Sequence, residues 1–114
     1  MTFNRAAVKK LLTSTELELF DVAHSPTEIE KLTKPQLRSM LERSRKLRDK
    51  YRDLYRHQRL AIRSEQGVKD GPTGNANERT SQKEELIAEV VIKFESRMAH
   101  IESAEDIEFA KTRQ

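Results

Sequence analysis

From Gln36 to Gln66 the chain contains neither glycine nor proline. No other feature restricts its fold as much. The preceding residues supply a helix start: Thr33 can cap, Pro35 falls in the first turn where a missing N–H costs little, and Gln36 stands at the third position of a capping box. Taking Leu37 as a in a seven-residue repeat, the a positions are Leu37, Ser44, Tyr51 and Gln58 and the d positions are Met40, Leu47, Leu54 and Ala61. Leu41, Tyr55 and Ile62 widen the apolar stripe at e. A stripe of that width suits a globular helix or hairpin better than a coiled-coil seam. Thr33–Arg63 is therefore predicted to be one long helix whose apolar face the rest of the chain must cover.

The same helix carries the charge. Arg38, Arg45, Arg52 and Arg59 occupy successive b positions, and Arg56 and Arg63 at f fall close to the same line. From Arg38 to Arg63 there are ten basic and three acidic residues, a net +7, whereas the whole chain is +3. The remainder is thus acidic, and charge is segregated rather than spread.

Upstream, residues 1–12 have a weak apolar pattern that predicts at most a short, frayed helix. Thr13 and Glu16 form a second capping box opening Ser14–Ala23, with Leu17, Phe20, Leu19 and Val22 as its apolar face. Ser25-Pro26-Thr27-Glu28 is a third start signal, for a turn of helix ending near Leu32. Downstream, 64–77 holds all three glycines and Pro72, and reads as a flexible loop. It lacks the Gly-Lys-Ser/Thr ending of a phosphate loop. A last helix starts near Asn77 or Glu78. Its stripe Ile87, Val91, Phe94, Met98 and Ile101, with Leu86 and Val90 alongside, is the strongest in the chain. After Ile101 the chain turns acidic, with Ile107 and Phe109 able to dock, and the final residues 110–114 are expected to fray.

The prediction is a single all-α domain spanning 1–114. It is a long antiparallel helical hairpin packed with one or two shorter N-terminal helices, in effect a small bundle. Leu47, Tyr51, Leu54, Ile87, Val91, Phe94 and Met98 are its expected core, with the tyrosine hydroxyls reaching outward. The apolar seam also leaves a homodimer open.

Sites for chemistry are sparse. There is no cysteine, so neither a disulfide nor a thiolate metal site can form. No Glu-x-x-His, His-Glu-x-x-His or Gly-x-Ser-x-Gly pattern occurs. His24, His57 and His100 are expected to be structural or superficial. The pair Asp21 and His24 is too little to imply a metal. Glu84, Glu85 and Glu89 read as a solvated face near a helix N-terminus, where negative charge is favourable. No catalytic residue, metal or cofactor is implied, and an enzyme is not expected. No apolar run approaches the ~18 residues of a membrane span, and the N-terminus does not read as a signal peptide, so a cytoplasmic protein is expected.

The arginine row has two readings. As a solvated helix edge, its side chains pair with nearby acids. As a phosphate-binding ridge, Arg38, Arg45, Arg52, Arg56, Arg59 and Arg63 would contact nucleic acid or a ribonucleoprotein. Arginine's planar fork matches phosphate, and four b positions span about 31 Å of helix. With no tryptophan and six aromatics, a base-stacking platform is disfavoured. The string RSRKLRDKYRDLYRHQ has the composition of a basic region. It lacks the Asn-x-x-Ala pattern of leucine-zipper DNA readers, and no zipper follows it. The alternative is a protein-interaction or adaptor module that meets an acidic partner through this helix or the 64–77 segment.

Overall fold

The computed structural model describes residues 4–64 and 73–113, with side chains described at 4–61 and 77–113. Every element among them is helical: α1 (Arg5–Leu11), α2 (Ser14–Ala23), α3 (Pro26–Lys31), α4 (Lys34–Ser64) and α5 (Thr73–Thr112). Helices α4 and α5 form a long antiparallel hairpin, and the short helices pack along it. The molecule measures 71 × 28 × 22 Å.

Local signals set the starts of the first four helices. The Thr13 hydroxyl accepts the Glu16 N–H, and the Glu16 carboxylate accepts the Thr13 N–H at 3.0 Å, a complete capping box. Thr33 and Gln36 exchange the same pair of bonds at the start of α4. The Ser25 hydroxyl accepts the Glu28 N–H, and Pro26 opens α3. The helix α1 has its own cap, the Asn4 side chain accepting the Ala6 N–H at 2.8 Å.

The core has two buried clusters in series along the hairpin. One joins Leu19 and Ala23 of α2 to Leu37 and Leu41 of α4 and to Val90, Val91 and Phe94 of α5. The other joins Val8 and Leu12 to Tyr51, Leu86 and Ile87. Ser44 is fully buried between them in sequence, its hydroxyl bonded back to the Met40 carbonyl at 2.8 Å. That bond satisfies the hydroxyl within its own helix. The N-terminal segment 1–12 thus contributes Val8 and Leu12 to the core.

The structure corrects the expected core in several places. Leu54 is 41% exposed, and Leu47 and Met98 are only partly buried. The buried face of α4 runs along a and e rather than a and d, through Leu37, Leu41, Ser44 and Tyr51. Tyr51 is its last buried side chain among the described residues, so no third layer covers Leu54. Past Tyr51 and Leu86 the seam turns polar, with Gln58 partly buried on α4 and Thr80 buried on α5.

The limits of α5 also differ from expectation. The predicted loop 64–77 lies outside the described residues at 65–72, but Thr73 to Asn77 are helical. Gly74 and Asn75 fall in the first turn, whose N–H groups have no intrahelical partner and where weak helix formers cost least. At the other end the helix continues to Thr112, where fraying was expected after Phe109. Because α5 begins at Thr73, Glu84, Glu85 and Glu89 stand well inside it, and the helix-end argument for them does not apply.

Tyr51 differs most from its predicted role. Its hydroxyl points inward and donates to Glu16, which is 3% exposed. Burial first, and then the bond to Glu16, hold the phenol well above its ordinary value. The cations of Lys50 and Lys83 lie 5.3 and 5.2 Å from its ring centroid.

Two predictions follow from this packing. Phe94 is fully buried, so Phe94→Ala should lower unfolding stability by about 3–5 kcal/mol. Leu54→Ala, at a position 41% exposed, should cost far less, and urea denaturation of both variants checks the order. Tyr51→Phe leaves a buried oxygen of Glu16 unpaired and should cost about 1–3 kcal/mol at neutral pH. Since the folded protein holds the phenol proton more tightly than the unfolded chain, that stabilisation is complete below about pH 10. It is lost as pH rises toward the elevated folded value, so the gap between wild type and Tyr51→Phe should narrow in urea melts above pH 10.

Candidate functional site

On a helix of 3.6 residues per turn, the six arginines of the predicted ridge fall within one narrow sector of α4. The structure places that sector beside the buried face, on the edge that adjoins α5. Arg38, Arg45, Arg52, Arg56 and Arg59 are all exposed. The side chain of Arg63 lies outside the described residues.

The row is not uniform. Arg45 Nη2 donates to Glu95 Oε2 at 2.7 Å, and Arg52 Nε donates to Glu84 Oε1 at 3.3 Å. Both are cross-helix ion pairs that bracket the middle of the hairpin. Each guanidinium keeps N–H groups outside these bonds, and the two side chains remain 45% and 51% exposed. Arg38 and Arg56 have no acidic partner among the described residues. Arg59 lies with its guanidinium carbon 5.7 Å from the centroid of the Tyr55 ring. A cation placed over a ring is attracted by the ring's quadrupole, and no carboxylate compensates its charge there.

The pairs divide the row into a clamped centre and free ends. Toward the polar end of the hairpin, Arg52, Tyr55, Arg56, Arg59, Leu60 and Glu84 line an open cleft of about 430 Å³. Three arginines thus converge there around a half-buried aromatic ring. Arg38 stands apart, about 27 Å back along α4 from Arg56.

Asp21, His24, His57 and Glu89, also singled out in the sequence, have structural partners. His24 Nδ1 lies 2.9 Å from the Phe20 carbonyl and its Nε2 lies 3.0 Å from Glu89 Oε1, joining α2 to α5. The ring also stacks on Phe20 at 4.1 Å. Asp21 instead pairs bidentately with Arg5, and that hydrogen bonding holds its carboxyl below the usual carboxylate range. The sequence pair Asp21 and His24 is therefore divided between two different neighbours. His57 Nδ1 lies 2.9 Å from the Asp53 carbonyl in its own helix.

A second basic row escaped the sequence reading. Arg43, Lys46 and Lys50 lie on the opposite edge of α4, beside α2. Arg43 and Lys50 share position g of the repeat, which was the available signal. Their importance depends on where α2 packs, and periodicity within α4 does not report that.

No family model, no curated protein and no solved structure matches the chain.

The clamp pairs are exposed, so their energetic role is small. A double-mutant cycle on Arg45 and Glu95, using Arg45→Gln and Glu95→Gln, should give a coupling of about 0.2–1 kcal/mol that shrinks with added salt.

Proposed function

We propose that this chain is a small, non-enzymatic, cytoplasmic protein that binds nucleic acid or a ribonucleoprotein along the basic edge of α4. The observation carrying the reading is the exposure of Arg38, Arg45, Arg52, Arg56 and Arg59 on one edge of a single rigid helix. From Arg38 to Arg59 this edge runs about 31 Å, long enough to track several phosphates of a backbone. Arg56 and Arg59, in the cleft with Tyr55, are the principal contacts, and Arg38 is the distal one. Arg45 and Arg52 share their charge with Glu95 and Glu84 and contribute less.

Phosphate contacts position a nucleic acid without reading its sequence, so little base preference is expected. A non-enzymatic role agrees with the structural employment of Glu16, Asp21, His24 and Glu89. The alternative, an adaptor that uses α4 or the 64–77 segment against an acidic protein, draws support from the second basic row of Arg43, Lys46 and Lys50.

The test is binding to a mixed-sequence DNA duplex and to a structured RNA across a salt series. Each neutralised duplex phosphate contributes a slope of about −0.9 to log affinity against log salt. Arg38→Gln, Arg56→Gln and Arg59→Gln together remove three contacts without touching either clamp pair. They should flatten the duplex slope by about 2.7. If the folded wild type binds neither ligand at low salt, the nucleic-acid reading fails. If the triple variant binds as wild type does, the site is not on this edge.

A further inference from the structure

Between α2 and α4 lies a groove of about 300 Å³ lined by Thr15, Leu19, Leu47, Arg43, Lys46 and Lys50. Its floor is apolar and its rim is three cations, with no acid in the lining. Arg43, Lys46 and Lys50 are exposed. Lys50 also lies over the Tyr51 ring, and among the described residues neither Arg43 nor Lys46 has an acidic partner. They recur at i, i+3 and i+7, a row about 10.5 Å long.

The complement of that groove is at the other end of the same chain. Helix α5 continues to Thr112, past the start of α4, where Lys34 pairs with Glu105 at 2.7 Å. Glu102, one turn before Glu105, and Asp106 and Phe109 beyond it stand at i, i+4 and i+7, again a row about 10.5 Å long on one helix face. Phe109 is 62% exposed, and the Arg113 guanidinium lies 5.4 Å from its ring centroid. Glu102 and Asp106 are exposed and have no ion-pair partner among the described residues.

A chain cannot fill its own groove with this segment. With Glu105 beside Lys34 and the two helices antiparallel, the tail leads away from the body of α4. Lys46 lies about 18 Å from Lys34 in the opposite direction along α4. We infer that the groove receives the α5 tail of a second copy of this chain. Phe109 seats over Leu19 and Leu47, and Glu102 and Asp106 meet Arg43, Lys46 and Lys50. An aromatic anchor ringed by complementary charge is a common pattern for a small contact surface. Glu102 and Asp106 continue the α5 line of Glu84 and Glu95, which face the arginine ridge, so tail and groove open to opposite edges and the contact runs head to tail from copy to copy. The groove itself lies on the other edge of α4 from the proposed nucleic-acid contacts.

Sedimentation velocity of the full chain, over a range of concentrations and at low and high salt, tests it. Wild type should self-associate at low salt and dissociate as salt rises. Two variants reverse the charges: Glu102→Lys with Asp106→Lys on the tail, and Lys46→Glu with Lys50→Glu on the rim. All four positions are exposed, so the fold should be retained, as circular dichroism will verify. Each variant alone should weaken association by more than about tenfold, because like charges then face each other. Mixed one to one, the two should associate again, since each tail now matches the other variant's groove. Phe109→Ser should weaken association without changing its salt dependence. A wild type that stays monomeric throughout would overturn the inference. So would association that neither charge reversal alters, or reversed variants that fail to restore each other.

Discussion

Every other element depends on the apolar seam between α4 and α5. Leu37 and Leu41 on one helix and Leu86, Ile87, Val90, Val91 and Phe94 on the other are all buried. The three short helices have 7, 10 and 6 residues, below the length at which an isolated helix persists in water. Their caps bias the backbone, but docking is what holds them helical. Val8 and Leu12 do this for the first, and Leu19 and Ala23 for the second. Buried Ser44 keeps the α4 surface low at the level between the two clusters, without leaving a polar atom unsatisfied.

The parts of this architecture governed by contacts within four residues were legible in the sequence. The capping boxes at Thr13 and Thr33, the start at Ser25 and the uninterrupted run of α4 all depend on neighbours along the chain. What required knowledge of packing was misread. Leu54 satisfies the repeat but has no layer above it. The repeat gives a and d equal weight, whereas the packed helix buries a and e. The beginning of α5 was placed after the last glycine, although the first turn of a helix tolerates such residues well. Its end was placed too early because acidic composition resembles a solvated tail, yet an exposed helix can be acidic throughout.

The candidate site was legible to the same depth. Exposure of the arginine row followed from its position on the helix, and the structure places all five described members outward. Pairing with acids on α5 was anticipated in kind but not in register. Which arginine meets Glu84 or Glu95 depends on the axial offset of two helices joined through 65–72, and no local pattern encodes that offset. The groove on the opposite edge was invisible for the same reason, since one of its walls belongs to α2. A periodic helix announces its faces; what fills the space beside each face is decided elsewhere in the chain.

The Glu16 carboxylate is divided between two tasks. One oxygen accepts the backbone N–H of Thr13, and the other accepts the Tyr51 hydroxyl. The apolar residues of α2 are spread around much of its circumference: Leu19 is deeply buried, while Leu17, Phe20 and Val22 are each partly buried. Oil-like contact alone would accept several rotations of such a helix about its axis. A carboxylate anchored at its own helix start and matched to a single phenol across the core accepts one. Turning α2 by a residue, about 100°, would carry Glu16 away from the Tyr51 hydroxyl and leave that phenol without its partner. The buried acid thus selects an orientation, and with it the position of Thr15 and Leu19 beside α4.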